Sequence, residues 1–266
     1  MSGSSVFSAG DVVGGLVPLA AGSPFDYRVP DGMEVLRTGD LVQVPLSSRM
    51  VMGVVTGAGT LTTSSKKMRD IAARHEGASL SPETLDFLFW MAGYVMADPG
   101  VGFRLAMPVD LVAEGLKVKK RATKPRPIGG TSPDLACAAL PLTPDQRAAA
   151  DVLCGGTSGV FVLDGVTGSG KTEVYFEAVA AALARGVQVL ILQPEIALTG
   201  TFCERFTRRF GQAPALWHSG LTPAMRRDTL KGILSGEVRA VAGARSALML
   251  PYPNLGLIVV DEEHDA

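Results

Sequence analysis

Gly165-Val166-Thr167-Gly168-Ser169-Gly170-Lys171-Thr172 is the stretch on which the reading of this chain turns. It matches the pattern G-x-x-x-x-G-K-[ST] at every position. An apolar run at 160–164 precedes it, and an Ala-rich helical stretch at 171–185 follows. Gly165, Gly168 and Gly170 let the backbone curl until successive N–H groups point inward. Together with the positive end of the helix, those groups form a nest for phosphate oxygens. Lys171 adds a full charge at the β/γ-phosphates, and the Thr172 hydroxyl is placed to hold Mg²⁺. The competing reading is a glycine-rich turn with an incidental lysine. Strand, loop and helix in succession weigh against it.

Downstream the pattern alternates. Apolar strand runs are expected at 187–192, 238–242 and 255–261, with helices at 199–210 and 223–234 and a short segment at 214–217. Phe202, Phe206 and Phe210 recur at spacing four, which gives the first of these helices one apolar face. Buried strands alternating with helices predict an α/β lobe with a parallel sheet and helices on both faces. The run Leu257-Ile258-Val259-Val260 is read as a strand buried on both sides. It leads into Asp261-Glu262-Glu263-His264, at the carboxyl end where open α/β sheets bind ligands. Asp261 is the expected Mg²⁺ carboxylate, and Glu262 is expected to position or deprotonate the attacking water. Glu263 reads as a solvated charge. His264 reads equally as a surface histidine.

Upstream, residues 12–59 read as β-rich. Short strand runs at 12–19, 40–45 and 50–56 are separated by Gly22-Ser23-Pro24, Pro30-Asp31-Gly32 and Thr38-Gly39-Asp40. Those are turn chemistries, and no room is left for crossover helices, so a small antiparallel sheet or barrel is predicted. Residues 81–107 switch to helical spacing. Ser81 is placed as an N-cap, Pro82 takes the first helical position, and Leu85, Leu88, Phe89 and Ala92 form the stripe. Residues 113–141 carry Lys117, Lys119, Lys120, Arg121, Lys124 and Arg126 among prolines and glycines. They read as a solvated linker or as a phosphate-contacting arm. The expected organisation is thus 1–112, a linker at 113–141, and a lobe at 142–266.

The composition sets limits. Of 266 residues, 47% are hydrophobic and 19% charged, enough to build cores and too little charge for disorder. Lys plus Arg number 25 against 26 Asp plus Glu, so a uniformly basic nucleic-acid coat is excluded, although local basic patches are not. Cys137, Cys154 and Cys203 are far apart, and make neither a disulfide framework nor a zinc signature, which fits a reduced cytoplasm. No apolar run is long enough to span a membrane, and no signal peptide is expected.

In combination these segments resemble superfamily 2 helicases, and more closely the primosomal protein N′ family of replication-restart helicases. The segments are DGVTGSGKTEV at 164–174, QPEIALT at 193–199, WHSG at 217–220, AGARSAL at 242–248 and LIVVDEEHD at 257–265. LTPDQ at 142–146 is placed like the adenine-sensing glutamine motif of such enzymes. PFDYRVP at 24–30 and GDLVQVP at 39–45 resemble the family's N-terminal domain, which binds the 3′ end of a nascent strand. The resemblance implies a RecA-like P-loop lobe preceded by a small β-rich DNA-binding domain. It implies an ATP and Mg²⁺ site at Gly165–Thr172, Asp261 and Glu262, with Gln146 at the adenine. It implies single-strand contacts from residues 194–199 and 243–246, Thr199, Arg245 and Ser246 among them, through hydroxyl, guanidinium and backbone donors. Phe25 and Tyr27 would stack on or wall in a terminal base, with Asp26 on its edge or on the 3′-OH. Core packing is the alternative for both rings, and a turn role for Asp26. The implied activity is ATP-dependent 3′→5′ unwinding in primosome assembly and replication restart at stalled forks. The implied partners are forked and single-stranded DNA, other primosome proteins and single-strand-binding protein.

Several positions depart from the family. Ala244 stands where the family carries Thr, and Pro45-Leu46-Ser47 replaces its PFG. The 113–141 segment is too short for the usual winged helix. The sequence ends at Ala266, where the family continues into a second lobe and a zinc-binding cysteine module. An arginine finger from a second lobe accelerates related NTPases by about 10³–10⁵. The chain alone is therefore expected to bind nucleotide weakly and hydrolyse it slowly. A non-catalytic fork or 3′-end binding module is the second hypothesis, and a small-molecule P-loop kinase the third.

Overall fold

A computed structural model of the chain describes residues 5–60, 68–107, 128–137, 139–156, 158–166, 168–194 and 200–261, the side chains of 76–78 excepted. The chain divides into two compact units. The first is Met1–Pro125 with Thr222–Ser235 and Met249–Pro253, and the second is Arg126–Leu221 with Gly236–Leu248 and Asn254–Ala266.

The first unit is built on a curled six-stranded sheet in the order β7-β3-β2-β6-β5-β8. Its strands are β2 (Val12–Leu16), β3 (Phe25–Arg28), β5 (Asp40–Leu46), β6 (Arg49–Ala58), β7 (Arg69–Asp70) and β8 (Ala73–Ser79). A separate ladder joins β1 (Val6–Phe7) to β4 (Leu36–Arg37). Pairing is antiparallel as the turn chemistry predicts, except for a two-residue parallel step between β3 and β7. Side chains alternate across the sheet as the two-residue period requires. Val13, Val42, Val44 and Val55 enter one core with Tyr27 and Leu36, while Leu16, Leu41 and Val54 enter the other.

The second of these cores is closed by α1 (Pro82–Tyr94) and α2 (Pro99–Ala106) through Leu85, Leu88, Phe103 and Ala106. Ser81 caps α1 by accepting from the Thr84 N–H at 3.2 Å. The expected single helical stretch is two helices, because Asp98 and Pro99 start a new one, with Asp98 accepting from the Gly100 N–H at 2.8 Å. The expected apolar stripe is also narrower: Leu85, Leu88 and Ala92 are buried, but Phe89 is left at the exposed margin.

Gly39 turns the chain into β5. Its φ is +95°, and a Cβ there would lie 2.1 Å from the Leu80 carbonyl oxygen. That carbonyl cannot retreat freely, since the Leu80 N–H donates to the Gly39 oxygen at 2.8 Å. Gly39→Ala is therefore expected to lose about 3 kcal/mol or more in urea unfolding, the sum of left-handed backbone strain and the displaced carbonyl. Gly32→Ala is the control. It shares a positive φ of +81° but meets nothing within 4 Å, and should lose only about 1 kcal/mol.

The second unit carries a four-stranded, wholly parallel sheet in the order β10-β11-β9-β12. The strands are β9 (Gln188–Leu192), β10 (Ala215–Trp217), β11 (Ala240–Gly243) and β12 (Leu255–Val260). Its helices are α3 (Pro144–Cys154), α4 (Lys171–Ala184) and α5 (Thr201–Phe210), while α6 (Pro223–Leu234) belongs with the first unit. Tyr175, Phe176, Val179 and Leu183 of α4 pack with Val189 and Ile191 of β9 and with the three phenylalanines of α5.

Two expectations are corrected here. Residues 160–164 are not a strand: they pair with no neighbour in the sheet, and Val160 is 98% exposed. An aliphatic run forms a strand only when it finds a ladder partner. The run 257–260 is a strand but is not buried on both faces, since exposure alternates along it and Val260 is 56% exposed. Among the described residues, β12 pairs with β9 alone. The solvated connection expected up to 141 also differs in its later part. The Gly130 N–H donates to Ala213 O at 2.8 Å and its carbonyl accepts from Arg239, so the chain there lies along the ends of β10 and β11. The basic residues 117–126 lie outside the described residues.

Candidate nucleotide site

The loop ahead of α4 is shaped by its glycines. Gly168 and Gly170 both have φ of +82°, and the Ser169 N–H donates back to Val166 O at 3.1 Å. Gly170 is the N-cap of α4 and supplies no side-chain cap. The first N–H groups of a fourteen-residue helix are thus left for an anionic ligand. The Lys171 ammonium folds back onto the Gly165 carbonyl. Thr167 lies outside the described residues.

Gln146 is placed against this loop. Its Nε2 donates to Ser169 O at 2.7 Å, while its Oε1 accepts from the Thr143 N–H at 2.9 Å. Thr143 and Gln146 form a capping box at the start of α3. The same side chain therefore caps the start of one helix and braces the turn that begins the next. A Cβ on Gly170 would lie 2.5 Å from Gln146 Nε2, so glycine is needed there for space as well as for φ.

The candidate cation ligands meet at Tyr175. Its hydroxyl donates to Asp261 Oδ2 at 2.8 Å and also bonds the Thr172 hydroxyl. Gln193 Nε2 donates to the same Asp261 oxygen at 3.1 Å. The Asp261 N–H continues the sheet by donating to Leu192 O at 2.9 Å. Burial, reinforced by the Asp261 charge, pushes the Tyr175 phenol far above its ordinary value, so it stays protonated at any working pH. Gln193 Oε1 is buried and has no hydrogen-bond partner among the described residues. A threonine hydroxyl, a carboxylate and an unmatched buried acceptor form a hard, oxygen-rich set that suits Mg²⁺. Glu262 lies outside the described residues.

Ion pairs hold the helix that presents this set. Arg205 of α5 reaches both carboxylate oxygens of Glu173, each at 2.6 Å, one residue beyond Thr172. Arg209 and Arg147 both approach Glu177, at 3.3 and 3.5 Å. Sequence reasoning missed Tyr175, Gln193 and this Arg205–Glu173 pair. The available signals were a hydroxyl on the buried stripe of an Ala-rich helix and an amide directly after an apolar strand.

Of the residues expected to meet DNA, Arg245 and Ser246 are exposed in a 3₁₀ turn, Arg245–Met249, directly after β11. The carboxyl ends of the neighbouring strands β9 and β11 are joined there, since the Gln193 N–H donates to Gly243 O at 3.0 Å. Thr199 lies outside the described residues. In the first unit Phe25 is 38% exposed, while Tyr27 is 3% exposed and its ring fills the space over Gly15. Asp26 is buried and accepts from the Thr60 N–H at 2.9 Å. Phe25 thus keeps accessible ring surface, and Tyr27 sits in the core.

Two family models match the chain. Residues 16–108 match the 3′ DNA-binding domain of PriA, and residues 143–266 match the DEAD/DEAH box helicase family. The chain is 39% identical to the replication restart protein PriA of Rickettsia felis, over 94% of this chain and 37% of that protein. It is 47% identical to the Bacillus subtilis protein of the same name over 48% of this chain and 16% of the relative. For the Helicobacter pylori strain 26695 protein the figures are 48% identity, 39% and 17%. The chain therefore spans little more than a third of the length of the Rickettsia relative. Residues 143–266 thereby form a RecA-like lobe with a parallel sheet, and residues 16–108 a curled-sheet DNA-binding domain.

Proposed function

From the premise that this chain belongs to the PriA family of replication restart proteins, we propose that it acts in ATP-driven 3′→5′ movement along DNA at stalled forks. In this reading the domain at 1–112 engages a 3′ end, the lobe at 142–266 binds ATP, and 113–141 connects them. The observation that supports it most is the meeting of Thr172 and Asp261 at one buried hydroxyl beside an uncapped helix N-terminus. Lys171 would place its charge on the β/γ-phosphates, and Gln146 would sit at the adenine side of the loop. Thr172 and Asp261 would hold Mg²⁺, which when bound neutralises charge on the phosphates. Glu262 would orient the attacking water. Arg245, Ser246 and Thr199 would follow the strand backbone. Other primosome proteins and single-strand-binding protein are the partners this role requires, in the cytoplasm.

The experiment is a pair of measurements on the 266-residue chain. Forked DNA with a free 3′-OH should bind more tightly than the same fork ending in a 3′-phosphate, by about fivefold or more, the worth of one hydrogen bond in a closed pocket. Binding of either fork should weaken steeply with salt if phosphates are contacted. Equal affinities would remove 3′-end recognition. ATP turnover unresponsive to single-stranded DNA, with fork binding intact, would favour the non-catalytic fork-binding module instead.

A further inference from the structure

We infer that Tyr175 is a positioning residue of the cation site, a hydroxyl relay that sets which atoms of Thr172 and Asp261 face the metal. The inference rests on the ATP-binding reading above. A phenol has one proton, and here it goes to Asp261 Oδ2, 2.8 Å away. With that proton spent on Asp261, Tyr175 can only accept in its contact with Thr172, so the Thr172 hydroxyl is the donor there. Thr172 thus commits its single proton to Tyr175, and its oxygen lone pairs remain for a cation. A threonine free to rotate would present its proton to the metal for part of the time.

Asp261 is fixed from two sides. Tyr175 and the Gln193 amide both donate to Oδ2, at 2.8 and 3.1 Å, and two donors on one oxygen pin the carboxylate's orientation. Tyr175 itself cannot shift, being 5% exposed and set edge-on to Phe176 with ring centroids 5.3 Å apart. Gln193 carries the second independent observation. Its buried Oε1 lacks a donor among the described residues, a cost that is relieved if water of the cation's hydration shell donates to it. The hydroxyl therefore couples residues on α4 and at the end of β12 that lie 86 positions apart.

The test is Tyr175→Phe, which keeps the ring and its packing and removes only the relay. Affinity for a fluorescent ATP analogue is measured with and without Mg²⁺, and Mn²⁺ binding to the nucleotide complex is read by electron paramagnetic resonance. The ratio of affinities with and without Mg²⁺ is expected to fall about tenfold, and Mn²⁺ to bind correspondingly more weakly. Gln193→Met should move the ratio the same way. A purely structural role would lower both affinities alike and leave the ratio standing. A ratio within about twofold of the parent in both variants overturns the inference, as does a parent whose nucleotide affinity ignores Mg²⁺. A parent that binds no nucleotide at all overturns the proposed function instead, so the two failures are distinguishable.

Discussion

Lys171→Ala is expected to weaken ATP binding by about 30- to 1,000-fold, or about 2–4 kcal/mol, while AMP binding changes little. The asymmetry follows from where the charge sits. Lys171 is the first residue of α4, and its ammonium folds onto the Gly165 carbonyl at the mouth of the loop. A ligand with β- and γ-phosphates would replace that carbonyl as its partner, whereas AMP ends before reaching it. Lys171 is only half-buried, so the variant's unfolding midpoint should stay near the parent's. Lys171→Arg should recover only part of the loss, because the planar guanidinium does not fit a nest shaped for a compact ammonium. Isothermal titration with ATP, ADP and AMP checks the series. An ATP affinity within about threefold of the parent, or an equal loss for AMP, would remove Lys171 from the phosphate site.

That loop could be read from sequence because its constraints are local. Gly168 and Gly170 need positive φ within a few residues of Lys171, and spacing alone carries this. The triad of phenylalanines on α5 was legible for the same reason, since one helical period places all three on one face. What the sequence hid was pairing at a distance. Tyr175 looks like one more large residue in an Ala-rich helix until Asp261 is brought to it. Residues 160–164 are as aliphatic as a buried strand, but hydrophobicity does not state which neighbour will pair. The reverse error occurs at β8, whose polar sequence Ala73–Ser79 gave no strand signal yet pairs along β5. Its hydrogen bonds come from the backbone, and the hairpin of β5 and β6 supplies the template. The pair Phe25 and Tyr27 shows a finer limit. Two residues apart, they share a face of β3, but Gly15 leaves room for the Tyr27 ring, which packs there. Alternation could not distinguish the buried ring from the accessible one.

Phe206→Ala should destabilise the second unit by about 3–5 kcal/mol, the range for emptying a fully buried aromatic site. Phe206 is 0% exposed. Its ring lies 4.5 Å from Phe210, 5.7 Å from Phe176 at 90°, and 6.1 Å from Phe202, centroid to centroid. Three neighbours held in this way cannot close the gap without leaving their own rotamers, so the cavity persists. Phe206→Leu keeps most of the volume and should cost about 1–2 kcal/mol. The two units need not unfold together, so a whole-chain signal would mix two transitions. Trp217 lies in the second unit and Trp90 in the first. Urea unfolding in a Trp90→Phe background therefore reports the affected unit through Trp217 alone. The effect should reach the nucleotide site through one ion pair. Arg205 precedes Phe206 on α5 and grips Glu173 beside Thr172, so loosening α5 releases the start of α4. ATP affinity in the variant should fall in step with the lost stability as urea is raised, and Glu173→Gln in the parent should reproduce the weaker binding without the large loss of stability. A stability loss under about 1 kcal/mol would mean that the phenylalanine cluster is not the core that holds α4 and α5 together.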